Sequence, residues 1–334
     1  MQEFLFGNLP SPQQEGMGRA GVALPGSPAS YWFNPAGIGP VQDWSADLST
    51  SAPFYVLRES DYYFAGFAKR IHPRLVAGLN LNQLAVGPTG FDITIDGQRY
   101  PLDRPRMSHV TGTLTGEVVD GLYLGVNAHL FNWKNFEDVS ASNTLYLDAG
   151  ALYQLEIGEQ EEVNIGFSLG NLTGAAASFE SPTGVVDENW LPIIARAGVS
   201  YRKGLNLELP GAGTQPLELL LTTEFQNVLN SEYRTAFRLG GQATVAQYIV
   251  LRLGFFTQSN DDLGNSDNFS RITDVTYGFG VLVPLDRLSD GKWPIQMGLD
   301  YFSLESPPAT SQGTRLPNKR GFAIRLISSL PSNN

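Results

Sequence analysis

The chain has 334 residues, with 33 Asp and Glu against 22 Lys and Arg, a net charge of −11 and no cysteine. That balance excludes a phosphate-reading nucleic-acid binder, and the missing thiols exclude disulfides, thiolate metal sites and a cysteine nucleophile. Aromatics at 11% and charges at only 16% exclude a disordered chain, and no stretch approaches the roughly 20 apolar residues of a membrane helix.

The first residues, Met1-Gln2-Glu3, lack a basic region followed by an apolar run, so we expect an exported protein whose leader is gone, with Met1 in its place. Further on, "SPASYWFNPAGIGP" from Ser27 to Pro40 carries prolines and glycines that exclude a long helix or a central strand. It also groups Tyr31, Trp32 and Phe33, which are costly to leave in water and need a cavity.

Beyond about residue 42 the pattern is period two almost throughout. Ile249, Leu251, Leu253 and Phe255 alternate with Val250, Arg252, Gly254 and Phe256, and Val275, Tyr277, Phe279 and Val281 with Asp274, Thr276, Gly278 and Gly280. Successive side chains of a strand point to opposite faces, so one face is greasy and the other small or polar. About fourteen such strands are predicted, near 43–56, 61–71, 74–86, 107–118, 122–132, 143–156, 163–171, 191–202, 216–226, 235–245, 248–257, 272–284, 293–303 and 319–330. Lengths near ten residues suit a tilted strand crossing a bilayer, which takes about 9–11.

The connections alternate. One series is mostly tight turns: 72–73, 119–121, 158–162, 203–216, 246–247 and 285–292. The other is longer and polar: 87–106, 133–142, 172–190, 258–271 and 304–318. Short periplasmic turns opposite long outer loops predict an all-β fold, a transmembrane antiparallel β-barrel in a bacterial outer membrane, with both termini on the short-turn side. A soluble β-sandwich is the competing reading. A fourteen-strand lumen is too wide for wall side chains to fill. Residues 1–42 are the expected filler, a plug domain, leaving 43–334 as the barrel. Gly16, Gly18 and Gly21 would allow its bends, and Tyr31, Trp32 and Phe33 would stack on the inner wall.

"GMGRAGVALPGSPASYWFNPAGIGP", with its triplet Asn34, Pro35 and Ala36, resembles the N-terminal hatch of the FadL/PorV superfamily of outer-membrane barrels. "SLGNLTG" at Ser168–Gly174 followed by "LPIIARAGVSY" at Leu191–Tyr201 resembles the PorV branch more than the fatty-acid channels. The resemblance implies fourteen strands, a role in type IX-like secretion, and exported cargo or secretion subunits as partners alongside outer-membrane lipid. The alternative it implies is a FadL-type passive channel for hydrophobic small molecules such as fatty acids, with exit through a gap beside the hatch.

The polar parity places Asp148, Arg196, Arg202, Glu218, Glu224, Arg238, Arg252, Asp274, Asp300 and Arg325 in the lumen, as a network bracing wall and plug or as a polar path. His109 and His129 could lie on neighbouring strands, but a two-histidine metal site needs a third ligand that is not evident, so neither metal nor cofactor is expected. "GFSLG" at Gly166–Gly170 superficially resembles a nucleophile elbow, yet no helix follows, and its serine reads as packing rather than as part of an enzyme. Tyr62, Tyr63, Tyr153, Trp190, Tyr201, Phe225, Tyr248, Trp293 and Tyr301 are expected at interfacial girdles, and Asp96-Gly97 signals an outer hairpin.

Overall fold

The computed structural model describes residues 9–52, 60–87, 92–95, 98–101, 105–134, 141–180, 186–209, 213–230, 235–259, 271–304 and 319–328. Its strands are β1 (Trp44–Ala52), β2 (Ser60–His72), β3 (Leu75–Val86), β4 (Asp92–Ile95), β5 (Gln98–Pro101) and β6 (Arg106–Val119). There follow β7 (Leu122–Lys134), β8 (Ser142–Gly158), β9 (Glu161–Gly170), β10 (Ala176–Glu180), β11 (Val186–Trp190) and β12 (Ile194–Leu209). The last are β13 (Gly213–Val228), β14 (Thr235–Val245), β15 (Ile249–Ser259), β16 (Arg271–Pro284), β17 (Ile295–Leu304) and β18 (Lys319–Ser328).

Fourteen of these form a closed antiparallel barrel. β4–β5 and β10–β11 are separate two-stranded hairpins in the long connections. Closure is made by β1 against β18, in register from Ser45↔Ile327 to Ala52↔Arg320. The alternation read from sequence is what the wall obeys. Leu79 and Leu253 are each 62% exposed on the outside, while Arg252 and Glu224 point inward at 6% and 1%. An apolar surface this extensive is unstable in water and stable against hydrocarbon, so the outer face is a lipid face. On it Trp44 stacks on Phe67 near the start of β1, with ring centroids 6.4 Å apart, where an interfacial aromatic belongs.

Two expectations need correction. The predicted connection 203–216 is mostly strand: β12 and β13 stay paired down to Leu209↔Gly213, which makes this the deepest hairpin at the short-turn end. Tyr62 does not belong to a girdle. Its neighbour Tyr63 takes the outward place, so Tyr62 must face in, where it is buried and donates to Asn82 at 2.9 Å. The Asp96-Gly97 turn lies outside the described residues, although the strands on either side pair from Asp92↔Pro101 to Ile95↔Gln98.

Candidate functional site

Residues 9–41 run along the inner face of the barrel wall. The local structure of this segment follows from three Ser/Asn-Pro steps. Ser11, Ser27 and Asn34 each cap a short helical turn, with proline at its first position: Pro12–Gly16, Pro28–Trp32 and Pro35–Ile38. A capping oxygen satisfies one orphan N–H, and proline gives up an N–H the turn could not use. Gly18, with φ of +66°, makes the one bend among the three predicted glycines that demands a left-handed backbone. Gly16 and Gly21 are instead sites of close approach, to Gly278 of the wall and to the Phe33 ring.

Wall side chains hold this segment by its backbone. The Glu224 carboxylate accepts the N–H groups of Gly21 and Val22, both at 2.8 Å. Thr115 donates to Pro35 O at 2.7 Å, Asn127 to Tyr31 O at 3.0 Å, Ser200 to Ala23 O at 2.9 Å and Ser168 to Phe33 O at 2.5 Å. The serine of "GFSLG" is therefore a tether on an inward strand position. Asn34 works in both directions, accepting from Ala36 N at 3.0 Å while donating to Val22 O at 2.9 Å and to Ala151 O at 2.8 Å. At the short-turn end Arg70, which the sequence reading missed, donates to the carbonyls of Gly39 and Val41 at 3.0 Å and of Pro73 at 2.7 Å. Replacing Asn34 with alanine removes a cap and the two hydrogen bonds its amide donates to Val22 O and Ala151 O. It is expected to lower stability by about 2 kcal/mol, read as a lower urea midpoint in lipid bilayers.

The inner wall is bare where the segment presses on it. A Cβ built on Gly125, Gly150, Gly166, Gly240 or Gly254 would collide with atoms of Pro35, Asn34, Val22, Met17 or Gly18 respectively. Small residues on the inward parity thus form a belt that admits a second layer of backbone.

Above the belt the lumen is divided chemically. On β2, β3 and β6–β8 apolar and aromatic inward side chains stand among polar ones such as Asn80, Asn82, Thr111, Thr113 and Asn127. Tyr62, Phe64, Leu84, Met107, Phe131 and Trp133 join Tyr31, Trp32 and Phe33 in one buried cluster. Tyr31 stacks on Phe64 with centroids 6.2 Å apart, and Phe131 meets Trp133 at 6.1 Å. His109 packs on Phe131 at 4.7 Å, and the His109 and His129 rings are 5.9 Å apart on neighbouring strands. His129 is engaged by Thr111 at 2.8 Å and by Asp148 at 2.6 Å, and among the described residues no cluster could hold a metal ion.

On β12–β18 most of the predicted charged network meets, among uncharged inward side chains such as Ser200, Thr222, Phe256 and Phe302. Glu224 pairs with Arg238 and lies 3.8 Å from Arg196, whose Nε donates to Gln226 at 3.1 Å. Asp300 receives Arg252 at 2.6 Å and Arg325 at 2.9 Å, and Arg325 also faces Asp47 at 3.8 Å, which in turn accepts from Ser27. Lys319 pairs with Glu15 of the segment, with Arg19 3.4 Å away. Burial alone would raise the Glu15 carboxyl, but the two cations outweigh it and hold it below the usual carboxylate range. Four predicted members stand apart from these clusters. Asp148 belongs with His129 and Asn171 on the aromatic side. Arg202 and Glu218, 3.9 Å apart, sit half-exposed towards the short-turn end. Asp274 lies on the inward parity near the long-loop end of β16, opposite Phe256. Between the two walls a cavity of about 20 Å³, room for one water, is lined by Trp32, His129, Tyr146, Asp148, Asn171 and Arg196.

A closed antiparallel barrel with a lipid face outside and a polar and aromatic lumen is a transmembrane barrel of the outer-membrane class. Solved structures agree on the fold. The Ralstonia pickettii toluene transporter TbuX is similar at 13% identity and a TM-score of 0.51, the match covering 96% of this chain and 99% of TbuX. A FadL homologue from Pseudomonas aeruginosa is similar at 12% identity and a TM-score of 0.52, covering 96% of this chain and 98% of that one. Neither is a secretion component by its description, so the PorV branch gains no specific support. No protein-family profile matches the sequence, and no curated protein is similar to it.

Proposed function

We propose that this chain is an outer-membrane channel for hydrophobic small molecules, with residues 1–42 as a plug and 43–334 as the barrel. The observation that carries the reading is the aromatic wall. A water-filled porin needs a polar lumen, whereas here Phe64, Leu84, Met107, Phe131 and Trp133 face inward next to Tyr31 and Trp32. At 1–4% exposure these side chains are packed shut against the segment, and they give an apolar solute a place to leave water when the segment shifts. In this reading the charged wall is a brace: Glu224, backed by Arg238 and Arg196, holds the plug by Gly21 and Val22, Arg252, Asp300 and Arg325 tie the strands together, and solute passes along the aromatic side. The likeness to TbuX and to the FadL homologue fits the same reading, and a passive carrier needs no catalytic group.

Toluene, named for TbuX, is the solute to test first. Proteoliposomes holding the full chain are expected to take up radiolabelled toluene faster than empty vesicles, and Phe131→Asp or Trp133→Asp should slow uptake several-fold while the barrel still folds. Uptake equal to that of empty vesicles, with exported proteins co-purifying instead, would favour docking in secretion and overturn the channel.

A further inference from the structure

The lipid face carries a trough over β13–β15. Gly241 stands in register between Leu221 and Leu253, and two residues nearer the short-turn end Ala243 stands between Leu219 and Leu251. Two small residues flanked on both sides by leucines leave a depression of about 420 Å³, in the size range of ligand pockets, whose rim includes Tyr201 and Lys203. Packing does not require this glycine. A Cβ on Gly241 would meet Leu221 at an ordinary 3.5 Å, unlike the inward glycines, and its φ is not positive. Glycine weakens a strand, so what this one adds to the wall is the trough.

The trough has a polar end. Lys203 and Glu161 face outward on β12 and β9, with Nζ and Oε1 2.5 Å apart and side chains 39% and 29% exposed. An ammonium has three donors, and this contact uses one of them. Lys203 is level with Leu219, and through it with Ala243 and Leu251, at the short-turn side of the barrel. An anchored cation and anion side by side at that level match a headgroup that itself carries both charges.

We propose that this face holds one phosphatidylethanolamine-type phospholipid of the periplasmic leaflet. Its phosphate meets Lys203, its ammonium meets Glu161, and one acyl chain lies over Ala243 and Gly241. The site does not depend on what crosses the lumen. Native mass spectrometry of the full chain in mild detergent, titrated with phosphatidylethanolamine and separately with phosphatidylglycerol, tests it. The wild type is expected to retain one phosphatidylethanolamine in preference to phosphatidylglycerol. Filling the trough with Gly241→Leu, or with Ala243→Leu should the first variant misfold, is expected to weaken retention about tenfold, since less apolar surface is covered. Glu161→Ala should remove the headgroup preference, because the phosphate is common to both lipids and only the ammonium tells them apart. Gly112→Leu, at an outward glycine of β6 with open space around it, should change nothing. Equal retention by wild type and trough variants, or equal retention of the two lipids by the wild type, would overturn the proposal.

Discussion

Replacing Glu224 with alanine is expected to destabilise the barrel by roughly 3–5 kcal/mol, because it leaves buried positive charge without its partner. The carboxylate is 1% exposed and serves two functions at once. It neutralises Arg238, and at longer range Arg196, and it accepts two backbone N–H groups from Gly21 and Val22. Truncation abandons all four groups in a medium where an unmet donor costs far more than it does in water. The measurement is urea unfolding in lipid bilayers, where the midpoint should fall with the slope unchanged. Glu224→Gln separates the two functions, since its amide oxygen can still accept from the segment while the charge is gone. It is expected to fall between wild type and alanine. The double replacement Glu224→Leu with Arg238→Leu should recover part of the loss, because a pair of buried charges can be exchanged for apolar contact at little cost once both are removed. An alanine variant that unfolds at the wild-type midpoint would mean that Arg238 and Arg196 are neutralised by other groups.

The barrel was legible in the sequence because a membrane wall enforces alternation on every strand. A residue of the wrong polarity on the lipid side has nowhere to hide, so Leu251 and Arg252 declare their faces without any knowledge of the fold. The same logic found the inward charges. It could not say which of them meet, because Arg252, Asp300 and Arg325 become neighbours only through pairings across four strands, and Glu224 reaches Gly21 across some 200 residues. A period-two pattern carries parity and not register against a second layer. Tyr62 fails on parity instead: an outward Tyr63 leaves its neighbour facing the lumen. The N-terminal segment was recognisable by its aromatics and by its need for cover. Its shape had a signal that passed unused: Ser11-Pro12, Ser27-Pro28 and Asn34-Pro35 are three cap-and-proline starts, and each opens a helical turn. In the sequence the inward glycines are only the small members of a parity. What they admit becomes visible when Gly254 and Gly18 stand backbone to backbone.

That close approach supports the second large effect. Substituting leucine for Gly254 is expected to lift the N-terminal segment off the wall. A Cβ there would fall within van der Waals contact of the Gly18 backbone, and a rigid strand on one side and a left-handed bend on the other leave neither partner free to yield. The neighbouring bond from Gly18 N to Thr276, 2.8 Å in the wild type, would be lost with it. Two readouts follow. Arg19, largely buried in the wild type, should become a trypsin site in the folded barrel, and single-channel recordings should pass from low, quiet conductance to frequent large openings. Gly166→Leu, which strikes Val22 from β9, four strands round the wall, should give the same pair of changes if the belt acts as a whole. Gly112→Leu should give neither, because its side chain would point into lipid. Heat-modifiable migration separates a displaced segment from a barrel that never closed. A folded Gly254→Leu variant with Arg19 still resistant and conductance unchanged would show that the segment can shift along the wall without losing its grip, and that the belt does not fix its position.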